Sequence, residues 1–90
     1  MDPIETKKGE GKTDKAMGWK TIVFNDEVNT FDHAIIALQK VVHFSIEKAT
    51  ETAKKINDDG QAVVYEGHKE RCEAYAQGLC DAGLTADIQQ

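Results

Sequence analysis

The chain has 90 residues, 40% of them hydrophobic, and a formal net charge of −5 at pH 7. This length suits one small domain, and no apolar run in the sequence is long enough to span a membrane. Two cysteines are too few for a disulfide framework. Because the sequence shows neither a membrane span nor a secretory signal, we expect a cytoplasmic protein.

Residues 1–17 form the first predicted segment, with four lysines, four acidic residues and Ile4 as the only large aliphatic side chain before Met17. Such a segment buries too little apolar surface to offset the entropy lost on ordering. We predict a flexible N-terminal extension over 1–17, unlike a secretory signal, and one domain over 18–90. The domain then carries the whole net charge, which disfavours nucleic acid and favours a cationic ligand such as a free amino terminus.

A β-branched and aromatic run predicts the first strand at Trp19–Phe24. The polar stretch 25–29 that follows is typical of a turn. Thr30 is a predicted N-cap, and apolar residues at helical spacing predict a first helix from Phe31 to Val42.

The rest of the chain continues with two helices and two strands. Ser45 is predicted to cap a second helix, which ends at Gly60. A strand is predicted over 61–66, a third helix over about 68–82 and a final strand over 84–88. The order β-α-α-β-α-β predicts an α+β fold in which a three-stranded antiparallel sheet packs against three helices.

The sequence contains no motif typical of catalysis or metal binding. It has no Gly-x-Ser-x-Gly, His-Glu-x-x-His or glycine-rich phosphate loop, and His33, His43 and His68 lack ligand spacing. Cys72 and Cys80 fit neither a redox pair nor a zinc knuckle, and we interpret both as core or half-buried thiols of the third helix. We expect a monomeric binding protein that is not an enzyme and uses no cofactor or metal.

The unusual local feature is the acidic, polar segment 25–32, which lies between a buried strand and an amphipathic helix. An ordinary strand-to-helix connection has the same composition. The alternative is a recognition loop whose carboxylate and amide oxygens accept the three hydrogens of a free α-ammonium group. The adjoining apolar surface of the helix would then receive a side chain.

Residues 18–33 read Gly-Trp-Lys-Thr-Ile-Val-Phe-Asn-Asp-Glu-Val-Asn-Thr-Phe-Asp-His and resemble the opening of the ClpS family. The similarity continues through Leu-Gln-Lys at 38–40 to the segment Ala-Gly-Leu-Thr-Ala-Asp-Ile at 82–88. The resemblance implies an adaptor that binds substrates with Phe, Tyr, Trp or Leu at the N-terminus. It also implies that these substrates are delivered to the N-terminal domain of a Clp-type AAA+ unfoldase for degradation, with the extension taking part in delivery.

The resemblance also implies roles for individual residues. The substrate's α-amino group and first peptide bonds would be held by Asn25, Asp26, Glu27, Asn29 and Asn57. A hydrophobic pocket for its first side chain would be formed by Phe31 as gatekeeper together with Ala34, Ala53, Ile56 and Leu84. Glu70 would contact the unfoldase.

Two departures from the family pattern bear on this interpretation. Asn57 stands where the family has a histidine, and Ala34 and Ala53 stand where larger Val and Met are usual. The first change leaves open a ClpS-like regulator that binds the unfoldase without recognising N-terminal residues. A structural module like the ribosomal stalk domain, which resembles ClpS in fold, is a further alternative.

Overall fold

The computed structural model describes residues 17–90, so the extension predicted over residues 1–17 lies outside the described residues apart from Met17. No helix in the described part of the chain combines the length and the apolar composition that crossing a membrane requires. The elements are β1 (Trp19–Phe24), α1 (Phe31–Ala37), a π-helical segment (Leu38–Val42), α2 (Ile46–Asp59), β2 (Gln61–Gly67), α3 (Lys69–Asp81) and β3 (Thr85–Gln89).

The sheet is antiparallel, with β1 in the centre and the order β2-β1-β3, which confirms the predicted fold class. Phe24, the last residue of β1, pairs with Gln61 at the start of β2 and with Thr85 at the start of β3. The chain segments that enter β2 and β3 therefore lie on either side of the loop that leaves β1. This register brings three connections together at one end of the sheet.

The hydrophobic core lies between the sheet and the helices. Leu38 and Leu79 are completely buried, and burial of each such side chain contributes about 1.5–3 kcal/mol. The hydroxyl of Thr21 donates to the backbone carbonyl of Cys72 at 2.9 Å, which joins the central strand to α3. The other members of the main buried cluster are Val23, Ala37, Ala49, Ile56, Ala62, Val64 and Leu84.

The predicted helix caps are present. Thr30 Oγ1 accepts from the backbone N–H of His33, and Ser45 Oγ accepts from that of Lys48, both at 3.1 Å. Each bond satisfies an N–H that has no partner within its own helix. Gly60 follows α2 with a φ of 89°, a left-handed conformation that favours glycine.

The first helix differs from the prediction. Apolar spacing predicts one helix from Phe31 to Val42, whereas α1 ends at Ala37 and the chain continues as the π-helical segment. A π turn closes its hydrogen bond over one residue more than an α turn. A single such turn changes the spacing of buried residues too little for the apolar pattern of the sequence to distinguish it from a continuous α-helix. His43 then adopts a φ of 63° and ends the segment.

The two cysteines differ in exposure. Cys72 is buried, as predicted, but Cys80 is exposed, so the prediction of a core or half-buried thiol is wrong for Cys80. Its Sγ lies 3.4 Å from the carbonyl of Ala86. Cys80 follows Leu79, which is completely buried, in the last turn of α3. Successive residues of a helix point about 100° apart, so Cys80 lies on a different face of the helix from Leu79.

Gly78 allows α3 to approach the π-helical segment closely. A Cβ at this position would lie 2.8 Å from Val41 Cγ1, and a β-branched side chain has little freedom to move aside. We expect Gly78→Ala to destabilise the protein by about 1–3 kcal/mol through overpacking, although alanine at an exposed helical site is favoured by about 1 kcal/mol. Urea denaturation measures this loss, and Val41→Ala combined with Gly78→Ala should recover part of it. A single Gly78→Ala variant more stable than the parent would contradict the argument.

Candidate functional site

Three connections meet beside the carboxyl end of β1. They are the β1–α1 loop (25–30), the α2–β2 turn at Gly60 and the α3–β3 turn (82–84). The backbone N–H of Asn25 donates to the carbonyl of Gly60 at 2.9 Å. This bond continues the pairing of β1 with β2 by one residue and fixes the start of the β1–α1 loop.

Asp26 organises the β1–α1 loop through both of its carboxylate oxygens. Oδ1 accepts from the backbone N–H groups of Val28 and Asn29 at 3.0 and 2.9 Å. Oδ2 accepts from the hydroxyl of Thr85 at 2.8 Å, and the side-chain amide of Asn29 lies 3.0 Å from both oxygens. A carboxylate offers about four lone-pair positions, so the donors of the loop and of β3 already occupy this group.

These hydrogen bonds favour the ionised form of Asp26. The backbone N–H of Asn29 is the largest influence that lowers the pKa of Asp26 below its ordinary value, and the hydroxyl of Thr85 acts in the same direction. Burial opposes the shift but is outweighed. The loop therefore carries a fixed negative charge at neutral pH.

Two other side chains attach the β1–α1 loop and α1 to the α3–β3 turn. Asn29 Nδ2 donates to the carbonyl of Gly83 at 2.6 Å, and His33 Nε2 lies 2.6 Å from the carbonyl of Ala82. A carbonyl can only accept, so we assign the hydrogen to Nε2 of His33. We call this pair of bonds the turn clamp. The turn clamp ends on Ala82 and Gly83, and the next residue, Leu84, is buried.

A cleft of about 400 Å³ opens between these connections. Its most buried members are apolar: Val23, Ala53, Ile56 and Leu84 are at most 7% exposed. This volume includes space that is open to solvent, and the room for the centre of a water-sized sphere is only about 50 Å³. The cleft therefore suits one side chain better than a folded partner. The lining residues are Val23, Phe24, Asn25, Asp26, Asn29, Thr30, Phe31, Ala34, Ala53, Ile56, Asn57 and Leu84.

Nine of the ten residues predicted to bind substrate line this cleft. The exception is Glu27, which is exposed in the β1–α1 loop. Glu70, predicted to contact the unfoldase, is exposed in the first turn of α3 and lies outside the cleft lining. Sequence reasoning missed Val23, Phe24 and Thr30 as lining residues. The sequence placed Val23 and Phe24 at the end of a strand and Thr30 at a helix cap, and it gave no indication that they line a cleft.

Three exposed polar side chains in or next to the cleft differ from Asp26, because their oxygens accept no hydrogen bond from the described part of the protein. Within residues 17–90, the side-chain oxygens of Asn25, Glu27 and Asn57 have no hydrogen-bond partner. The Asn57 amide nitrogen lies 3.5 Å from Asp58 Oδ1, at the long limit for a hydrogen bond. These acceptors can engage a cationic donor without breaking bonds of the loop.

The described residues contain no group of three or more His, Cys, Asp or Glu side chains placed to hold a metal ion. The arrangement at the cleft is instead a set of hydrogen-bond acceptors above an apolar floor. This combination can bind a group that is cationic at one end and apolar at the other.

Comparison with known protein families and sequences gives matches over most of the chain. The family described as ATP-dependent Clp protease adaptor protein ClpS matches residues 14–87. The ClpS adapter protein of Thermosynechococcus vestitus is 38% identical over 68 residues, which are 74% of this chain and 72% of the relative. That of Corynebacterium glutamicum is 38% identical over 72 residues, which are 80% of this chain and 72% of the relative.

A solved structure has the same fold. The structure of Agrobacterium tumefaciens ClpS2 bound to L-phenylalaninamide aligns with a TM-score of 0.79 and 19% sequence identity, over 82% of this chain and 96% of that one. At this level of identity the match shows the common fold, a three-stranded sheet packed against three helices.

Proposed function

This chain belongs to the ClpS family of ATP-dependent Clp protease adaptors, and we propose that it binds proteins with a bulky hydrophobic N-terminal residue and delivers them to a Clp-type AAA+ unfoldase. The observation that carries the proposal is the cleft, which combines an apolar floor with unoccupied acceptors beside it. A free N-terminal Phe, Tyr, Trp or Leu has the complementary chemistry. An adaptor of this kind performs no catalysis of its own.

The α-ammonium group of the substrate would be bound by the unoccupied acceptors. Asn25 and Asn57 line the cleft from the β1–α1 loop and the last turn of α2, and Glu27 adds a nearby negative charge. Each hydrogen bond to the charged amine is worth about 1.5–3 kcal/mol. Asn57 can accept through its amide oxygen, so the loss of the family histidine does not remove the acceptor.

The first side chain of the substrate would enter the apolar part of the cleft. Ala34 and Ala53 contribute little volume there, while Phe31 is 44% exposed and lines the cleft. Burial of one aromatic or leucine side chain is worth about 1.5–3 kcal/mol before the costs of association. Together with two or three bonds to the amine, this suggests a low-micromolar Kd for a short peptide, on the order of −8 kcal/mol.

Asp26 would act through the shape of the loop. Its oxygens accept hydrogen bonds from the loop backbone, from Asn29 and from Thr85. These bonds would fix the backbone at Asp26 and so position its two neighbours in sequence, Asn25 and Glu27. Contact between Asp26 and the first peptide bonds of the substrate stays a prediction. Such a contact requires an approach to oxygens that already have partners.

Delivery would use a different surface. Glu70 lies with His68, Lys69 and Glu73 at the start of α3, and none of these residues lines the cleft. Separate surfaces allow the substrate and the unfoldase to be bound at the same time. The extension predicted over residues 1–17 is proposed to assist in this transfer.

Fluorescence anisotropy with ten-residue peptides that differ only in residue one tests the binding step. We expect Phe, Tyr, Trp and Leu peptides to bind and Ala and Arg peptides to bind at least about tenfold more weakly, since they lose the apolar burial. Degradation of a Phe-initiated reporter by a Clp unfoldase and its peptidase tests delivery. The absence of binding to every peptide at a few hundred micromolar would instead favour a regulator that contacts only the unfoldase.

We also expect a broad pH optimum for peptide binding. The pKa of Asp26 is lowered in the folded protein, first by the hydrogen bond from the backbone N–H of Asn29 and then by that from the Thr85 hydroxyl. The ionised carboxylate therefore stabilises the folded loop fully above the unfolded pKa of about 4, and this stabilisation is lost as the pH falls through the lower folded pKa. Above about pH 8 the peptide's α-amino group loses its proton. Calorimetric titration from about pH 4 to 9 should show a plateau between about 5 and 7.5. A steep loss between pH 7 and 5.5 would contradict this account.

A further inference from the structure

His33 emerges from the structure as a residue with a role that its sequence position does not suggest. It is half-buried in the first turn of α1, and Nε2 lies 2.6 Å from the carbonyl of Ala82. It does not line the cleft. We propose that His33 is a positioning residue that sets the shape of the cleft, and hence its selectivity among bulky N-terminal residues, by holding the α3–β3 turn.

The bond from His33 ends at the last turn of α3. Ala82 is the C-cap of α3, and carbonyls at the end of a helix lack partners within the helix. His33 supplies a partner for one of these carbonyls, and Asn29 supplies one for Gly83 at 2.6 Å. Asn29 lies in the β1–α1 loop and His33 in α1, so the turn is fixed to both.

Residues close to both ends of this bond line the cleft. Ala34, the next residue after His33, and Leu84, two residues after Ala82, both line the cleft. The bond from His33 to Ala82 therefore joins the two elements that carry these lining residues. The clamp fixes the separation between α1 and the turn, which is the dimension that a Phe, Leu or Trp side chain must match.

The α3–β3 turn packs closely against His33 and Asn29. A Cβ on Gly83 would lie 3.4 Å from His33 Nε2 and 3.7 Å from Asn29 Oδ1, while Gly83 itself has a φ of 96°. The turn thus lies directly against both donors. Leu84 is held further by its backbone N–H, which donates to the carbonyl of Leu79 at 3.0 Å, so loss of the clamp should shift the turn without detaching β3.

A matched set of variants tests the proposal, which rests on the proposed function. His33→Gln places an amide nitrogen at nearly the reach of Nε2 and should retain the clamp, whereas His33→Asn is too short and His33→Ala has no donor. We expect the Ala and Asn variants to bind the Phe peptide about tenfold more weakly, as small misplacements of a site do. The spread of Kd among Phe, Tyr, Trp and Leu peptides should also narrow. The Gln variant should resemble the parent in both respects.

Thermal melting of each variant separates positioning from general stability. If affinity and selectivity are the same in all three variants, or if Gln and Asn behave alike, His33 does not act through this bond. Amide hydrogen exchange supplies a test that does not need substrate: the N–H groups of Gly83 and Leu84 should exchange faster in the Ala variant but not in the Gln variant. Unchanged exchange of these N–H groups in the Ala variant would show that His33 does not hold the turn. Failure of the parent protein to bind peptides would overturn only the proposed function.

Discussion

Acetylation of the amino terminus of a Phe-initiated peptide should weaken its binding at least about 100-fold. The modification removes the positive charge and two N–H donors, so the acceptors on Asn25, Glu27 and Asn57 lose their ligand. A factor of 100 corresponds to about 2.8 kcal/mol, which is less than the sum of two charge-assisted hydrogen bonds. The remaining burial of one side chain is too small to offset the costs of association.

Anisotropy with paired free and acetylated peptides measures this effect, with acetylation of an internal lysine as the control for added size and lost charge. Glu27→Gln separates the contribution of the negative charge from that of the hydrogen bond, because glutamine keeps an oxygen acceptor and has no charge. Glu47→Gln, on the exposed first turn of α2, is the matched control for net charge. Equal affinity of free and acetylated Phe peptides would remove the amine from the recognition scheme and would leave the cleft as a general apolar pocket.

Ala53→Phe should abolish peptide binding while leaving the fold intact. Ala53 is 3% exposed and lines the cleft, so a phenyl ring built from α2 would occupy the space proposed for the substrate's own side chain. Loss of that burial, together with exclusion of the chain from the acceptors beside it, should exceed about 100-fold in Kd. Overpacking typically costs about 1–3 kcal/mol, and we expect a loss of stability within this range.

Thr50→Phe provides the control on the same helix, because Thr50 is exposed and lies outside the cleft lining. It should bind peptides like the parent protein. The outcome that contradicts the assignment is retention of Phe-peptide binding by an Ala53→Phe variant whose melting temperature matches that of the parent. A smaller change, Ala53→Met, should restrict the cleft and reduce binding of Trp peptides more than that of Leu peptides.

The sequence was sufficient to locate most of the secondary structure. Thr30, Ser45 and Gly60 mark helix ends through bonds and backbone angles that involve residues within four positions along the chain, so their signals are local. A β-branched and aromatic run located the first strand, and the motif at 18–33 indicated the family. From that family resemblance came nine residues that the fold gathers around one cleft.

Only the tertiary structure decided how those residues are divided between roles. Asp26 and Asn25 are neighbours of similar polarity, yet Asp26 is occupied by donors that include Thr85, 59 positions away, whereas Asn25 is unoccupied. The bond from His33 to Ala82 spans 49 positions. No local pattern encodes such a pairing, because it depends on which connections the strand register brings together.

Two local predictions were wrong. The π-helical segment after Ala37 lies close to α3 at Gly78, and Cys80 is exposed although its neighbour Leu79 is completely buried. Composition and spacing describe one element at a time and indicate neither result. The sequence by itself therefore determined the order of elements, their caps and the kind of groups available for binding. Packing of elements distant in sequence decided which of those groups are free to bind a substrate and which hold the site in shape.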